Sequence, residues 1–436
     1  MSGNYDVLII GSGILGVSIA FELSKLGYRT LNIDKLPAAG FGSTSNTCAI
    51  IRTTYSTLAG TAIAYESLFS WKNWRTYLET DDELGLAQFK ETGGLLIKPK
   101  GFDMSRYLKL HERLSIPYEI WDRKKLLQRM PHFSDDSFYP PKRYDDPCFT
   151  NKSTEKINDT VVFFPNVGYI NDAVLSAHNV QRAAENKGGE FLFGKEVVKI
   201  RQSNGRVIGV QLSDGVTIKA PIVVNASGPY SFLINRMAGI EGRMKIKTRP
   251  LRHEVHFVPS PPEYSYEKNA IQVSDGDLGG YHRPETGNLI LVGSEDPECD
   301  PKEWIEDPDH FNRAVTDAQF KAQVYRLALR IPSLPIPNKQ QGIVDLYDVS
   351  DDWIPIYDAS DLGGFYLAIG TSGNQYKNGP AVGHLMAEII HACENGHDHD
   401  EDPVKVKLRH IDYTLDTRVF SRNRDIIQNS TFSVLG

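Results

Sequence analysis

One segment constrains this chain more than any other. Val7-Leu8-Ile9-Ile10 is followed by Gly11-Ser12-Gly13-Ile14-Leu15-Gly16 and then by a helical apolar pattern running to Gly27. The apolar run suits a strand buried on both faces, as in a parallel sheet. The G-x-G-x-x-G turn leads straight into a helix, and each glycine answers a separate demand. Gly11 allows the tight turn, Gly13 lets the backbone approach a pyrophosphate, and Gly16 lets helix and strand pack closely. Val17, Ala20, Phe21, Leu23 and Leu26 give the helix an apolar face, and Gly27 is placed to cap it. Thr30 to Ile33 read as a second strand ending in Asp34, eighteen residues after Gly16. That approaches the roughly 20 expected of an acid that holds the ribose hydroxyls of a dinucleotide. The pyrophosphate would lie on the helix N-terminus, where free N–H groups favour negative charge. An aspartate at position 34 also repels a 2′-phosphate, which disfavours NADP.

A chain of 436 residues exceeds one typical core, so two domains are expected. With 24% charged residues and a net charge of −7, the surface does not suit general nucleic-acid binding. No apolar run reaches the roughly 18 residues that span a bilayer. No signal-type segment precedes the first strand, and cytoplasmic location is the expectation. Cys48, Cys148, Cys299 and Cys393 are widely spaced, which argues against both a disulfide framework and a zinc site. The run His397-Asp398-His399-Asp400-Glu401-Asp402 reads as a solvated acidic loop, and no metal site is expected.

Further along, a glycine- and Ser/Thr-rich loop spans Ala39 to Cys48, and Ala59 to Leu78 reads as one long helix. Residues 84–135 mix strand and charged helix, and Ser134 to Asp159 reads as a surface excursion. Ala173 to Lys187 is helical, Asp214-Gly215 marks a hairpin, and Ile222 to Asn225 is a buried strand ending in Ala226-Ser227-Gly228. Residues 240–340 are strand-rich and then helical. Phe365 to Ile369, the loop Gly370 to Gly379 and a helix from Pro380 to Ala392 follow.

The ordered set of Gly11–Gly16 with Asp34, Gly42-Ser43-Thr44-Ser45-Asn46, Val223 to Gly228, Tyr281-His282-Arg283-Pro284-Glu285, Leu346 to Asp352 and Gly370 to Lys377 resembles one flavoprotein family. It is the family of D-amino acid oxidase, monomeric sarcosine oxidase and the dimethylglycine and sarcosine dehydrogenases. The resemblance implies FAD and an α/β architecture, with a discontinuous Rossmann-like FAD-binding domain and a sheet-based α+β substrate domain roofing the flavin. The expected division is 1–80, 160–232 and 340–436 for the FAD-binding domain, and 81–159 and 233–339 for the substrate domain. It further implies cofactor contacts from Gly11, Ser12, Gly13, Ile14, Leu15, Gly16, Asp34, Lys35, Ser43, Thr44, Ser45, Asn46, Val198, Ala226, Ser227, Gly228, Gly370, Ser372, Gly373, Asn374, Gln375 and Lys377.

Arg52 and Lys377 resemble the cations with which sarcosine oxidase holds a substrate carboxylate, and Tyr55 and His253 are candidates to line the site. A planar guanidinium beside an ammonium suits a carboxylate. Asn46 stands where histidyl-flavin relatives carry histidine, and Gly342-Ile343-Val344-Asp345 offers no cysteine, so FAD is expected to be non-covalent. An aliphatic residue around Leu291 replaces the oxygen-activating lysine of the oxidases, leaving oxygen or another electron acceptor open. The implied reaction oxidises the C–N bond of a small carboxylate-bearing amine, an N-methyl or free amino acid. The alternatives are oxidation of a 2-hydroxy acid, or service as the flavin-carrying subunit of an electron-transfer complex. Homo-oligomeric assembly is left open.

Overall fold

The computed structural model describes residues 5–436. Strand Val7–Ile10 is buried between two parallel neighbours, Thr30–Asp34 on one side and Ile222–Asn225 on the other. Glu190–Phe193 lies outside Thr30–Asp34. Phe365–Ile369 and then Ile356–Ala359 lie outside Ile222–Asn225, completing a six-stranded sheet. All its pairings are parallel except that of the last two strands. The carboxyl end of Val7–Ile10 thus opens at the crevice where such sheets receive ligands.

Helix Ile14–Lys25 is buried from Ile14 through Ser24, polar residues included, because it lies between helices Ala173–Asn186 and Gly379–Glu394. The one-sided apolar face read from sequence is therefore too narrow. Buried Glu22 is matched by Arg409 at 2.8 Å. Gly27, at φ +87°, turns the chain after the helix, with Tyr28 N–H donating to Leu23 O at 3.1 Å in a Schellman-type closure. A Cβ on Gly379 would come within 2.9 Å of the Ile14 side chain, and one on Gly383 within 2.6 Å of the Ser18 carbonyl oxygen. The two glycines track Ile14 and Ser18 in step. The helices therefore run parallel, with their N-termini side by side.

The second sheet has nine strands and is organised on the long strand Thr248–Pro259. Gly342–Ser350 pairs along one edge of that strand. Across the other lie Leu289–Ser294, Gly280–Glu285, Gln272–Asp275, Gly94–Ile97, Thr160–Phe164 and Glu119–Asp122 in turn, with Glu303–Trp304 pairing at the start of the long strand. This moves two of the expected domain boundaries: Thr160–Phe164 and Gly342–Ser350 hydrogen-bond into this sheet rather than the nucleotide-binding one. Alternating apolar residues reveal a strand but not its partner.

Three other readings change. The helix expected over 59–78 is two, Leu58–Lys72 and Trp74–Leu78, separated at Asn73, whose side chain donates to Phe69 O at 3.0 Å. The break lets Trp71 and Trp74 stack, their ring centroids 4.3 Å apart. The surface excursion read over 134–159 is confined to 139–156, where no residue is buried, and the two ends of the segment turn inward. Fully buried Arg330 pairs with Asp275 and Asp277 and donates to the carbonyls of Ser134 and Asp136, and Phe138 and Ile157 lie in the core. The acidic run at 397–402 is likewise partly internal, with Asp400 paired to Arg422 at 2.6 Å and His399 buried near Asp358.

The parallel helix contact predicts that Gly383→Ala lowers the urea midpoint by an amount equivalent to about 1–3 kcal/mol, the usual cost of overpacking. Gly27→Ala, whose Cβ meets no atom within 4 Å, carries only the left-handed backbone cost of about 1 kcal/mol. Equal midpoint losses in the two variants would contradict the contact.

Candidate active site

A cavity of about 460 Å³ lies between the two sheets. At one end it exposes the turn between the first strand and the first helix, with Gly11, Gly13, Ile14 and Leu15 on its wall. Gly11 has φ +108°, and a Cβ there would sit 2.4 Å from Ala226 O. Helix Ile14–Lys25 opens on Gly13, which offers no side-chain cap, and its first turn lies at the cavity wall. This is the electrostatic environment a pyrophosphate requires.

Asp34 lines the same end. Its carboxylate accepts from Ser12 N–H at 2.7 Å and from Leu36 N–H at 2.9 Å, which fixes its orientation and leaves lone pairs for ribose hydroxyls. Burial raises its pKa, opposed by those two amides and by Lys35. Lys35 also lines the cavity, pairing with Asp309 at 2.7 Å. Ser43, Thr44 and Asn46 continue the wall. Thr44 Oγ1 accepts from Ile14 N–H at 3.1 Å, and Asn46 Nδ2 donates to Asp345 at 2.6 Å. Ala226, Ser227 and Gly228 close one side, and Gly373, Asn374, Gln375 and Lys377 line the far end.

Several expected contacts stand behind the wall instead. Ser12 is fully buried and acts through its backbone, while Gly16 is a packing glycine whose Cβ would strike Gly11 O at 2.1 Å. Ser45 turns its hydroxyl to Gly42 O. Gly370 lies against Ser350, and Ser372 at φ +47° donates its N–H to Asp348 O. Val198 points to solvent at 43% exposure, and its neighbour Val197 lines the cavity. The ladder is irregular between Val197 and Lys199, so strand alternation did not assign the inward face. Tyr55 is also off the wall, buried beneath it.

Tyr55 nonetheless organises the cations. Arg52, set by the short strand Ile50–Ile51, lies with Cζ 4.4 Å from the Tyr55 ring centroid, and Lys377 Nζ lies 5.4 Å from it. The Tyr55 hydroxyl donates to Asn374 O at 2.6 Å and accepts from Lys377 Nζ at 3.1 Å. Trp71 Nε1 holds the Lys377 carbonyl at 2.6 Å, so the tryptophan stack anchors the terminal loop. Arg52 donates to the carbonyls of Thr54 and Val434. Burial, and then Arg52, push the Lys377 ammonium well below the ordinary lysine pKa.

His253 lines the cavity with Nε2 2.7 Å from Asp296, its ring stacked on Tyr347 at 4.4 Å. Tyr281 stands nearby, its hydroxyl 3.0 Å from Cys48 Sγ. The bare positions Gly293 and Gly373 make room for the rings of Tyr281 and Tyr347. Burial raises the Cys48 thiol pKa, against the reactive thiolate form. Lys98, Glu295, Ser274, Tyr107, Val434 and Leu435 also line the cavity and were not anticipated. The alternation Gln272-Val273-Ser274 carried a signal for Ser274; no local pattern marked Glu295, Lys98 or the C-terminal residues.

The terminal loop is held by Asp348, which accepts from Ser231 Oγ at 2.8 Å and Gly370 N–H at 2.6 Å. Burial lifts its pKa to about 7.

Residues 6–389 match the model of the DAO family, FAD dependent oxidoreductase. The chain belongs to this family of FAD-dependent enzymes. It is 25% identical over 415 residues to FAD-dependent oxidoreductase domain-containing protein 1 of Bos taurus, covering 88% of this chain and 81% of that one. It is 25% identical over 407 residues to sarcosine oxidase subunit beta of Rhizobium meliloti, covering 89% and 84%. The fold is similar to the crystal structure of glycine oxidase from Geobacillus kaustophilus, with TM-score 0.73, 19% identity, and 98% and 100% of the two chains covered. The helix N-terminus at the cavity wall, the glycine turn and the oriented Asp34 carboxylate fit the ADP half of FAD. No helix among the described residues is long and apolar enough to cross a membrane.

Asp34→Ala is expected to lower the FAD content of the purified protein and its thermal midpoint together. It removes the carboxylate offered to the ribose hydroxyls and leaves the Ser12 and Leu36 amides unpaired at about 1–3 kcal/mol each. Unchanged flavin absorbance per mole of protein would remove Asp34 from the site. For Asp348, the folded pKa near 7 exceeds the unfolded carboxylate value, so the folded state binds more protons between them. Its contribution to stability is full below about pH 4 and is lost as pH rises through about 7, on the order of 4 kcal/mol at most. The gap in urea midpoint between wild type and Asp348→Asn should therefore narrow from about pH 5 to about pH 8; a constant gap would refute the linkage.

Proposed function

We propose that this enzyme oxidises the C–N bond of a small carboxylate-bearing amine, an N-methyl or free amino acid, to an imine that water hydrolyses. What supports this most directly is the pair Arg52 and Lys377, two cations carried on one tyrosine ring at the wall of the cavity. A lysine held below its ordinary pKa by burial and by a neighbouring cation gains most from an arriving anion, since the carboxylate restores its charged form. The names of the relatives, sarcosine oxidase subunit beta and glycine oxidase, point to the same substrate class.

FAD, when bound between the glycine turn and the terminal loop, would supply the two-electron acceptor. The protein's part is to aim the substrate. Arg52 and Lys377 fix the carboxylate, so the C–H bond is presented in one orientation and positioning carries the rate. The ring wall of Tyr281, Tyr347 and His253 excludes water from the amine. The helix beginning at Gly379 presents its positive end behind the terminal loop, where it favours negative charge. FAD is held non-covalently in this reading, consistent with a Cys48 thiol already committed to Tyr281. A relative named as a subunit supports a second reading, in which the chain relays electrons within a larger assembly.

The test is anaerobic flavin bleaching by sarcosine, glycine and other amino acids, with an artificial acceptor for turnover. Arg52→Ala and Lys377→Ala should each weaken carboxylate substrates by about 1.5–3 kcal/mol, the scale of charged hydrogen bonds. Equal rates on a carboxylate and its amide analogue would exclude the role. Flavin in the pellet after acid precipitation would exclude non-covalent binding. Bleaching without turnover unless a partner chain is added would favour the relay reading.

A further inference from the structure

The substrate-domain wall of the cavity carries an arrangement that the oxidation of glycine or sarcosine does not require. Ser294, Gly280, Asp275 and Ile97 form one row across four neighbouring strands of the large sheet. Glu295, Ser274 and Lys98 are each one residue from that row, and all three line the cavity. Lys98 and Glu295 are 9% and 7% exposed, so both charges are internal. Glu295 accepts a hydrogen bond from Ser274 Oγ, while Lys98 Nζ makes no hydrogen bond or ion pair among the described residues and lies 5.3 Å from the Phe102 ring centroid. Nor do the two pair with each other. Gly276 keeps the place open for the ammonium, since a Cβ there would sit 2.7 Å from Lys98 Nζ.

Buried charges of opposite sign that face one cavity without meeting are a site lacking its partner, because desolvation without compensation is costly. We propose that Lys98, Glu295 and Ser274 form a second polar subsite that receives the far end of the substrate, a neutral group that both donates and accepts hydrogen bonds, of the carboxamide kind. A cationic end would satisfy Glu295 and strand Lys98, and an anionic end the reverse. A carboxamide offers N–H to the carboxylate and C=O to the ammonium at once. Burial raises the Glu295 pKa, and Lys98, the Ser274 hydrogen bond and Arg52 oppose that rise; Arg52 lines the same cavity, so Glu295 stands within the electrostatic reach of both cations. The inference rests on the amine-oxidation reading and narrows its substrate to one longer than glycine or sarcosine.

The experiment compares N-methylnorleucine, N-methylglutamine, N-methylglutamate and N-methylornithine with the FAD-loaded wild-type enzyme. It reads both the rate of anaerobic flavin bleaching and the affinity from the perturbation of flavin absorbance. The carboxamide should exceed the methyl, carboxylate and ammonium ends by about tenfold or more in kcat/KM and in affinity, the effect of one well-made polar pairing. Glu295→Gln and Lys98→Met should each lower the ratio of carboxamide to methyl, with flavin absorbance reporting that the variants are folded. Reduction of the flavin by all four amines at similar rates would overturn the subsite and leave the oxidation reading standing. Tighter carboxamide binding without any flavin reduction would overturn the oxidation reading and leave the subsite. Neither reduction nor preferential binding would overturn both.

Discussion

The molecule depends on the parallel contact between helices Ile14–Lys25 and Gly379–Glu394. Their N-termini lie together only because Gly379 and Gly383 let the backbones approach where any side chain would collide. The contact joins the opening segment of the chain to its last helix, and it aims two aligned dipoles toward one cavity. The first end is suited to a dinucleotide phosphate without calling on a titratable side chain. The second stands behind the terminal loop, so negative charge at either place meets fixed dipoles rather than mobile water.

Around that frame, the catalytic end is built largely by residues that do not touch the cavity. Tyr55 is the example: buried below the wall, it spaces Arg52 from Lys377 and fixes the Asn374 carbonyl. Trp71 does the same for the Lys377 carbonyl and Asp348 for the Gly370 amide. Each substitutes a short, directed hydrogen bond for loop flexibility. The loop can therefore be rich in glycine and still hold one geometry.

The nucleotide-binding half was legible because its demands are local. A buried strand, three glycines and an acid at fixed spacing define the Gly11–Asp34 unit, and the strands Ile222–Asn225 and Phe365–Ile369 stand where their apolar runs place them. The substrate half was less so, because its features arise from pairing between distant strands. Thr160–Phe164 and Gly342–Ser350 read as strands, yet nothing in them names their neighbours in the large sheet. Glu295 and Lys98 converge only through the register of four strands, and Val198 lost its inward place to Val197 through one irregular ladder step. Long-range ion pairs were equally silent: Arg330, paired with Asp275 and Asp277, holds the carbonyls of Ser134 and Asp136 through an association that no local pattern marks.

The six-stranded sheet also dictates an order of assembly during synthesis. Its strands are drawn from 7–34, 190–225 and 356–369, so the sheet cannot finish until the last fifth of the chain leaves the ribosome. Until then Ile222–Asn225 presents an unpaired apolar edge, a surface that invites association with other nascent chains. The loop 370–379 that lines the far end of the cavity is likewise among the last parts of the chain to be made.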